Sequence, residues 1–446
     1  MIRIPESSEG RTDQVPWVAF EEGANEHTRA FLNDPIQFSL DAYQKHGDTF
    51  ALRLFGRDFI GLAGVESNRF VWGNDKLWDF PLTKRIFVEQ FDETYLPTLE
   101  STPHRKKRRR ISSGFRPKTL MGQTGAMTKV MLEELEKLPD GKTDLRLFSA
   151  RLLICMTARV LMQTDIPPGL DEVMVRFNKE MLSAESLGEK RFEMYQEEGY
   201  KSRKRAIFDY INDFLDHYER EDNSVRDDIL SVVLRAHPET EEPIGRRELV
   251  QDIQQLFTAG ATTTSQMIIW TLVYLDHYPD WKQKLLEELD TNWNREQFTG
   301  MERLPKLKAT LLEIERLRGP SPMVTRTSGE ALSFQGHRFP KGTNFMHFQM
   351  IPHYLEEHYE DPMSFRPSRF LNDPSLPKRW IHGTYGGGGH VCVGQPLARM
   401  TPPLAIGNLL SRYEVHFETT VDLQASFDTV TTPHPKVIPV VFDARP

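Results

Sequence analysis

Apolar residues recur at three- and four-residue intervals through most of the stretch from Pro117 to Trp293. That spacing lays a continuous stripe along one face of an α-helix. MTKVMLEELEKL, FSARLLICMTARVLM, KRAIFDYINDFLDHYE and ELVQDIQQLFTAGATTTSQMIIWTLVYL all carry it, the last being the most hydrophobic. Alternation of period two appears only in shorter runs. TFALRLFGRDFIGLAG, Thr49 to Gly64, predicts two strands about a Gly-Arg-Asp turn, and LSFQGHRF, GTNFMHF and KVIPVVF predict strands late in the chain. The pattern predicts a mostly α fold with small β-sheets near the N-terminus and the C-terminus. No repeat, low-complexity tract or Gly/Ser linker marks a boundary. The 446 residues therefore read as a single domain, 1-446, although roughly 150 residues per domain would allow three.

Composition removes alternatives more than it adds them. Two cysteines, Cys155 and Cys392, allow at most one disulfide, and no CxxC pair or Cys/His cluster suggests structural zinc. A disulfide-rich secreted scaffold is excluded, and a reducing compartment, the cytoplasm, is the expectation. The 56 Lys and Arg against 64 Asp and Glu give −8, which argues against a general nucleic-acid binder. MIRIPESSEGRTDQVPW is polar, and the longest apolar run, Met267 to Leu275, is far short of the roughly 20 residues of a membrane span. The expectation is a soluble protein with no membrane anchor.

Candidate chemistry concentrates in YGGGGHVCVGQPLARM, Tyr385 to Met400. Four glycines before His390 and Cys392 suit a backbone passing close to something flat or bulky. Gly394, Pro396 and LARM then read as a helix start, where a thiolate is favoured by the macrodipole and free N–H groups. Such a thiolate can ligate a metal or act as a nucleophile. The same residues also suit a small buried hydrophobe in a Gly-rich turn, or a phosphate cradle. No Lys-Ser/Thr follows as in a P-loop, and no strand precedes as in a dinucleotide fingerprint.

YGGGGHVCVG resembles the heme-binding loop of the cytochrome P450 family, an aromatic residue followed by GGG-x-H-x-C-x-G, with Tyr385 in place of the usual Phe. The resemblance implies the P450 fold, heme b, and Cys392 as axial thiolate of the iron. It implies a propionate contact from His390, with Gly388 and Gly394 letting the loop lie against the porphyrin. Ala259-Gly260-Ala261-Thr262-Thr263-Thr264 is similar in register to the family's oxygen-activation motif A-G-x-(Asp/Glu)-Thr-Thr. Thr263 then corresponds to the threonine that assists proton delivery, and Gly260 opens a groove beside the Ala259 carbonyl, which a Thr263 hydroxyl can reach at i−4. Thr262 stands where an acid is usual, and a hydroxyl does not supply a proton as a carboxyl does. Without the family, the segment reads first as a small-residue packing seam against another helix.

Further motifs follow in family order. LLEIERLRGPSP holds two Glu-x-x-Arg pairs, Glu313/Arg316 and Glu315/Arg318; the second fits the family position better, with Arg369 of FRPSRF completing a structural triad. His104 and Arg108, opening the basic run HRKKRRR, correspond to heme-propionate contacts, with Arg326 a further clamp. The remaining basic residues suit an acidic electron-transfer partner of ferredoxin or flavodoxin type, although such runs are ordinarily a solvated face. RLFGRDFI, NRF and FPLTKRIF resemble the soluble bacterial relatives of the retinoid-hydroxylating branch. Family position suggests Trp78, Phe80, Phe91, Phe257, Met323 and Val324 for the substrate pocket. Pro402-Pro403 interrupts a helix that is normally unbroken, predicting a kink or early stop. The implied function is a heme-thiolate monooxygenase inserting one oxygen atom from O2 into a lipophilic terpenoid, retinoid or similar molecule. The alternatives are an isomerase, dehydratase or peroxygenase needing no external electrons, or a non-catalytic heme or ligand binder.

Overall fold

The most hydrophobic segment of the chain forms one unbroken helix, Arg246–His277, 32 residues long. Nearly every side chain between Val250 and Leu275 is buried, so this long helix is a core rod with apolar residues on all faces rather than a surface helix with one stripe. The helices Leu145–Met162, Leu170–Ser183, Pro305–Arg318 and Gln395–Leu410 pack directly against it. Their apolar faces supply Leu152, Ile154, Phe177, Ile314 and Leu404 to the main core around Trp270. Cys155 packs against this core, where burial pushes its thiol up to about 12. This computed structural model describes residues 15–445 apart from 92–93, 139–141, 222–225, 238–242, 295–297, 299, 425, 430–431 and 435–437. The fold is mostly helical, as the periodicity predicts. Among the described residues no helix is long and apolar enough to cross a membrane.

The predicted N-terminal hairpin is present, with a different turn. Thr49–Leu54 and Arg57–Ala63 pair antiparallel, and the two-residue connection is Phe55-Gly56, with φ of 53° and 72°. Positive φ at both central positions gives the twist that a two-residue hairpin needs. Arg57 and Asp58 therefore belong to the second strand, and Asp58 faces its cross-strand neighbour Arg53 at 2.6 Å. The sheet is not local. Arg57–Ala63 runs parallel to Asn344–Phe348, which pairs with Val324–Thr327, so the four-stranded sheet unites both ends of the chain. Apolar residues cover both faces, Phe50, Leu52 and Leu54 on one and Ala51 and Phe345 on the other. A second sheet joins Lys142–Asp144, Pro439–Ala444 and Tyr413–Phe417.

The early stop predicted at Pro402-Pro403 is absent: Gln395–Leu410 is a continuous helix containing both prolines. Its residues from Met400 to Leu410 are all buried, and this packing outweighs the local cost of about 3 kcal/mol for an interior proline. The prolines remove the N–H groups that would reach the carbonyls of Ala398 and Arg399. Those two residues and both prolines line a cavity of about 240 Å³, roomy enough for water to take over the freed carbonyls.

Candidate active site

The cysteine loop is held in place by two close approaches. Gly388 has φ +69°, and a Cβ there would meet the Trp72 carbonyl oxygen at 2.2 Å. A Cβ on Gly389 would meet an Asp75 carboxylate oxygen at 2.3 Å, and the Gly389 N–H donates to Asp75 at 2.8 Å. Only glycine fits at 388, and at 389 any side chain would push the Asp75 carboxylate off its hydrogen bond. The bulky object behind Gly388 and Gly389 is thus the chain's own Trp72–Asp75 segment. Gly386 and Gly387 line the cavity, whereas Gly388 is packed against the Trp72 carbonyl. Gly394 lies beside the Cys392 sulfur on a neighbouring cavity. Cys392 donates its N–H to the Tyr385 carbonyl at 3.0 Å. Burial pushes its thiol up, against N–H groups of Gly394 and Gln395 and the Arg108 guanidinium. The Gly394 and Gln395 N–H groups and Arg108 thus favour the thiolate, as a helix start should, and a bound metal ion would favour it further.

Cys392 opens onto a cavity of about 320 Å³ between the loop and the long helix. The helix contributes Gln255, Ala259, Thr263 and Met267, and one end of the cavity gathers His104, Arg108, Arg326 and His390. The rings at that end are stacked: His390 lies 3.6 Å from Phe80 and 3.8 Å from His104, centroid to centroid. Burial, then Arg108, lowers His104 to about 4; burial, then His104 and Arg326, lowers His390 to about 2. Both rings are neutral hydrogen-bonding groups at physiological pH. Arg326 is lowered to about 10 by burial, opposed by Asp75, and its buried Nε has no acceptor among the described residues. Burial also lowers Arg108.

On the long helix the Thr263 hydroxyl donates to the Ala259 carbonyl at 2.7 Å, and both residues line the Cys392 cavity. Gly260 faces the adjoining cavity with Gly394, where its missing side chain leaves only Thr157 Oγ1 at van der Waals distance. Thr262 points elsewhere. Roughly 100° around the helix from Thr263, it lines a separate cavity with Asn178, Lys179, Ser265 and Gln266. Among the described residues no Asp or Glu lines the Cys392 cavity.

The ion triad is corrected by two residues along the helix. Glu313 and Arg316 are fully buried, with two hydrogen bonds at 2.8 and 2.9 Å, and Arg369 reaches Glu313 at 3.2 Å. Glu315 and Arg318 play no part in it. Residues two apart on a helix face opposite ways, and Glu315 looks toward the cysteine loop, accepting from Tyr385 and His382. Arg318 lies over Trp270 at 5.1 Å and donates to the Leu423 carbonyl. Of the pocket candidates, Phe80 and Val324 line the cavity. Trp78 is buried with its indole N–H on the Val71 carbonyl, Phe91 stacks on Tyr95, and Phe257 and Met323 are core. Family position gave their place along the chain but not the direction of their side chains. The basic run is divided as well: Lys107 and Arg110 turn inward to Glu248 and Asp252, and Arg105, Lys106 and Arg109 are exposed. Sequence reasoning missed Lys84 and Gln349, which line the Cys392 cavity, and the Trp72–Asp75 support behind the loop. Lys84 sits inside the quoted FPLTKRIF, but its direction is a tertiary property.

The cytochrome P450 family model matches residues 30–440, and the chain belongs to that family. It is an oxidoreductase with heme b as cofactor. Pentalenene oxygenase of Streptomyces avermitilis is 25% identical over 436 residues, 94% of this chain and 95% of that one. Cyclooctat-9-en-7-ol 5-monooxygenase of Streptomyces melanosporofaciens is 26% identical, covering 87% of each. The solved structure of the retinoic acid-bound cyanobacterial CYP120A1 shares the fold, with a TM-score of 0.80 at 22% identity over 97% of this chain and 98% of that one. The residues present fit heme b. A cysteine thiol, a soft iron ligand, lines the cavity, and the same lining carries Arg108 and Arg326. The buried Arg326 Nε has no acceptor among the described residues and could take one from a carboxylate-bearing cofactor.

Proposed function

We propose that this protein, as a single heme domain over residues 1–446, is a heme-thiolate monooxygenase that hydroxylates a lipophilic terpenoid, retinoid or similar molecule. The observation that carries the reading is the shared cavity: Cys392 and Thr263 line it together, and Arg108 and Arg326 stand at one end. Heme b, when bound, supplies the activation of O2 and the oxidising power. Cys392 would hold the iron, and His104, Arg108, Arg326 and His390 the propionates. Thr263, anchored on the Ala259 carbonyl, holds a hydroxyl proton at the face of the long helix that borders the cavity. Phe80, Leu96, Pro97 and Val324 provide an apolar wall that orients the substrate and excludes water. The terpenoid-related names of two relatives, and the retinoic acid of the structural neighbour, favour that substrate class. Electrons would arrive from a ferredoxin- or flavodoxin-type protein, with exposed Arg105, Lys106 and Arg109 contributing to an acidic partner's docking.

The test is the reduced, carbon monoxide-bound spectrum. A thiolate-type Soret band in the wild type that disappears in Cys392→Ser supports the reading, and its absence from the wild type sinks it. One observation favours a second reading, an isomerase, dehydratase or peroxygenase: no carboxyl group of the described residues lines the cavity and Thr262 faces away from it. Turnover that requires NAD(P)H with a redox partner separates the first reading from the second.

A further inference from the structure

Lys84 follows the short helix Phe80–Thr83, and its side chain lines the Cys392 cavity beside Phe80, Leu96, Pro97, Val324 and Arg326. Among the described residues its ammonium has no hydrogen-bond acceptor. The acidic groups at this end of the cavity are engaged elsewhere. Glu185, the carboxylate that acts on Lys84, takes Arg57 at 2.6 Å and Arg85 at 3.4 Å. Asp75 takes the Gly389 N–H and faces Arg326 and Arg108. Burial, aided by the Arg326 charge, lowers the ammonium to about 8, so it is still mostly charged at neutral pH. Half-buried beside these apolar side chains and unpaired at hydrogen-bond distance, the ammonium is placed to take a carboxylate that a ligand brings into the cavity. Heme b brings two carboxylates, and two guanidiniums, Arg108 and Arg326, already stand at that end. Lys84 is a third cation.

We propose that Lys84 binds the carboxylate of the substrate, which makes the preferred substrate an extended apolar molecule ending in one carboxylic acid. The inference rests on the monooxygenase reading above and narrows it. The apolar neighbours select the hydrocarbon body. The charge-assisted hydrogen bond from Lys84 fixes one end and so determines which carbon is presented to the reactive centre. The same carboxylate chemistry could come from a heme propionate, and the experiment separates the two sources.

The holoprotein is titrated with two matched sets of probes, retinoic acid, methyl retinoate and retinol, and palmitic acid, methyl palmitate and palmityl alcohol. Binding is followed by the Soret shift and, independently, by equilibrium dialysis. In at least one set the acid should bind about tenfold or more tightly than its ester and alcohol. Lys84→Met should abolish that preference by weakening the acid while leaving the ester within about twofold, and Lys84→Arg should retain it. The proposal is overturned if neither acid is preferred, or if Lys84→Met leaves the preference intact. It is also overturned if Lys84→Met instead speeds heme loss and shifts the reduction potential as Arg326→Ala does, which would make Lys84 a propionate contact. The carbon monoxide spectrum of each sample reports whether the heme-thiolate centre is intact, so failure of this proposal is distinguishable from failure of the broader reading.

Discussion

Tyr385 donates its phenolic hydrogen to Glu315 across 2.7 Å, joining the cysteine loop to the helix Pro305–Arg318. His382 lies 3.2 Å from the other carboxylate oxygen, and the Tyr385 carbonyl receives the Cys392 N–H. The tyrosine that replaces the usual phenylalanine therefore has a stated task, and so does the glutamate displaced from the triad. Tyr385→Phe removes one hydrogen bond to a buried carboxylate and should cost about 1.5–3 kcal/mol. Chemical denaturation of the holoprotein measures this, and a loss below about 0.5 kcal/mol would show the bond contributes nothing.

Glu315 also has a definite pH signature. Burial pushes its carboxyl up, but the His382 hydrogen bond and charge, Arg399 and Tyr385 together hold it below its ordinary 4.5. A depressed carboxylate contributes stability that is present above its unfolded value and lost as pH falls through its folded one. The stability gap between wild type and Glu315→Gln should be full at neutral pH and close below about pH 4.5. Denaturation midpoints of both proteins across that range check it; a gap that widens toward acid would contradict the sign.

Glu313 should be far less replaceable than Arg318. Breaking a fully buried ion pair from one side leaves a charge without its partner and costs about 3–5 kcal/mol, so Glu313→Ala should fold poorly and retain little heme. Arg318→Ala loses a cation–π contact and a backbone hydrogen bond, together about 1–2 kcal/mol. Heme content and melting temperature rank the two, and the reverse order would reinstate the sequence-based triad.

The two threonines should separate in function because they face different cavities. Thr263→Ala should lower the share of reducing equivalents recovered in product by about tenfold or more, with hydrogen peroxide released instead. Thr262→Val should change that share by less than about threefold, since its hydroxyl does not reach the site. Product, NAD(P)H and peroxide measured in one assay decide the matter.

Restoring an N–H at Pro402 should stabilise the protein. Pro402→Ala allows the missing bond to the Ala398 carbonyl and should raise stability by up to about 3 kcal/mol. A lower melting temperature would instead mean that the cavity beside the prolines depends on their rings.

The periodicities made the helical class and the cores legible, because a repeat of 3.6 or 2 is written directly into which residues are apolar. Cys392 was legible because its glycines, histidine and helix start lie in one short segment. Direction around a helix was not. Glu313 and Glu315 have the same spacing to an arginine, and only the surrounding packing distinguishes the buried pair from the loop-facing residue. Lys84 was illegible for a related reason: its environment is assembled from Leu96, Val324 and Arg326, which no local pattern connects to it. The turn at Phe55-Gly56 escaped because a phenylalanine with positive φ defies its own preference, and Phe55 is held there by ring contact with Phe31.

The strand pairing of Ile60 with Phe345 sets a schedule for the living cell. A ribosome releases the hairpin Thr49–Ala63 long before Asn344–Phe348 exists, so one edge of that hairpin waits unpaired through most of synthesis. Arg326 is carried by the neighbouring strand and Cys392 by a loop made later still. The two sides of the heme cavity therefore come together only once synthesis is well into the last quarter of the chain, so the cofactor meets a complete site late in synthesis at the earliest.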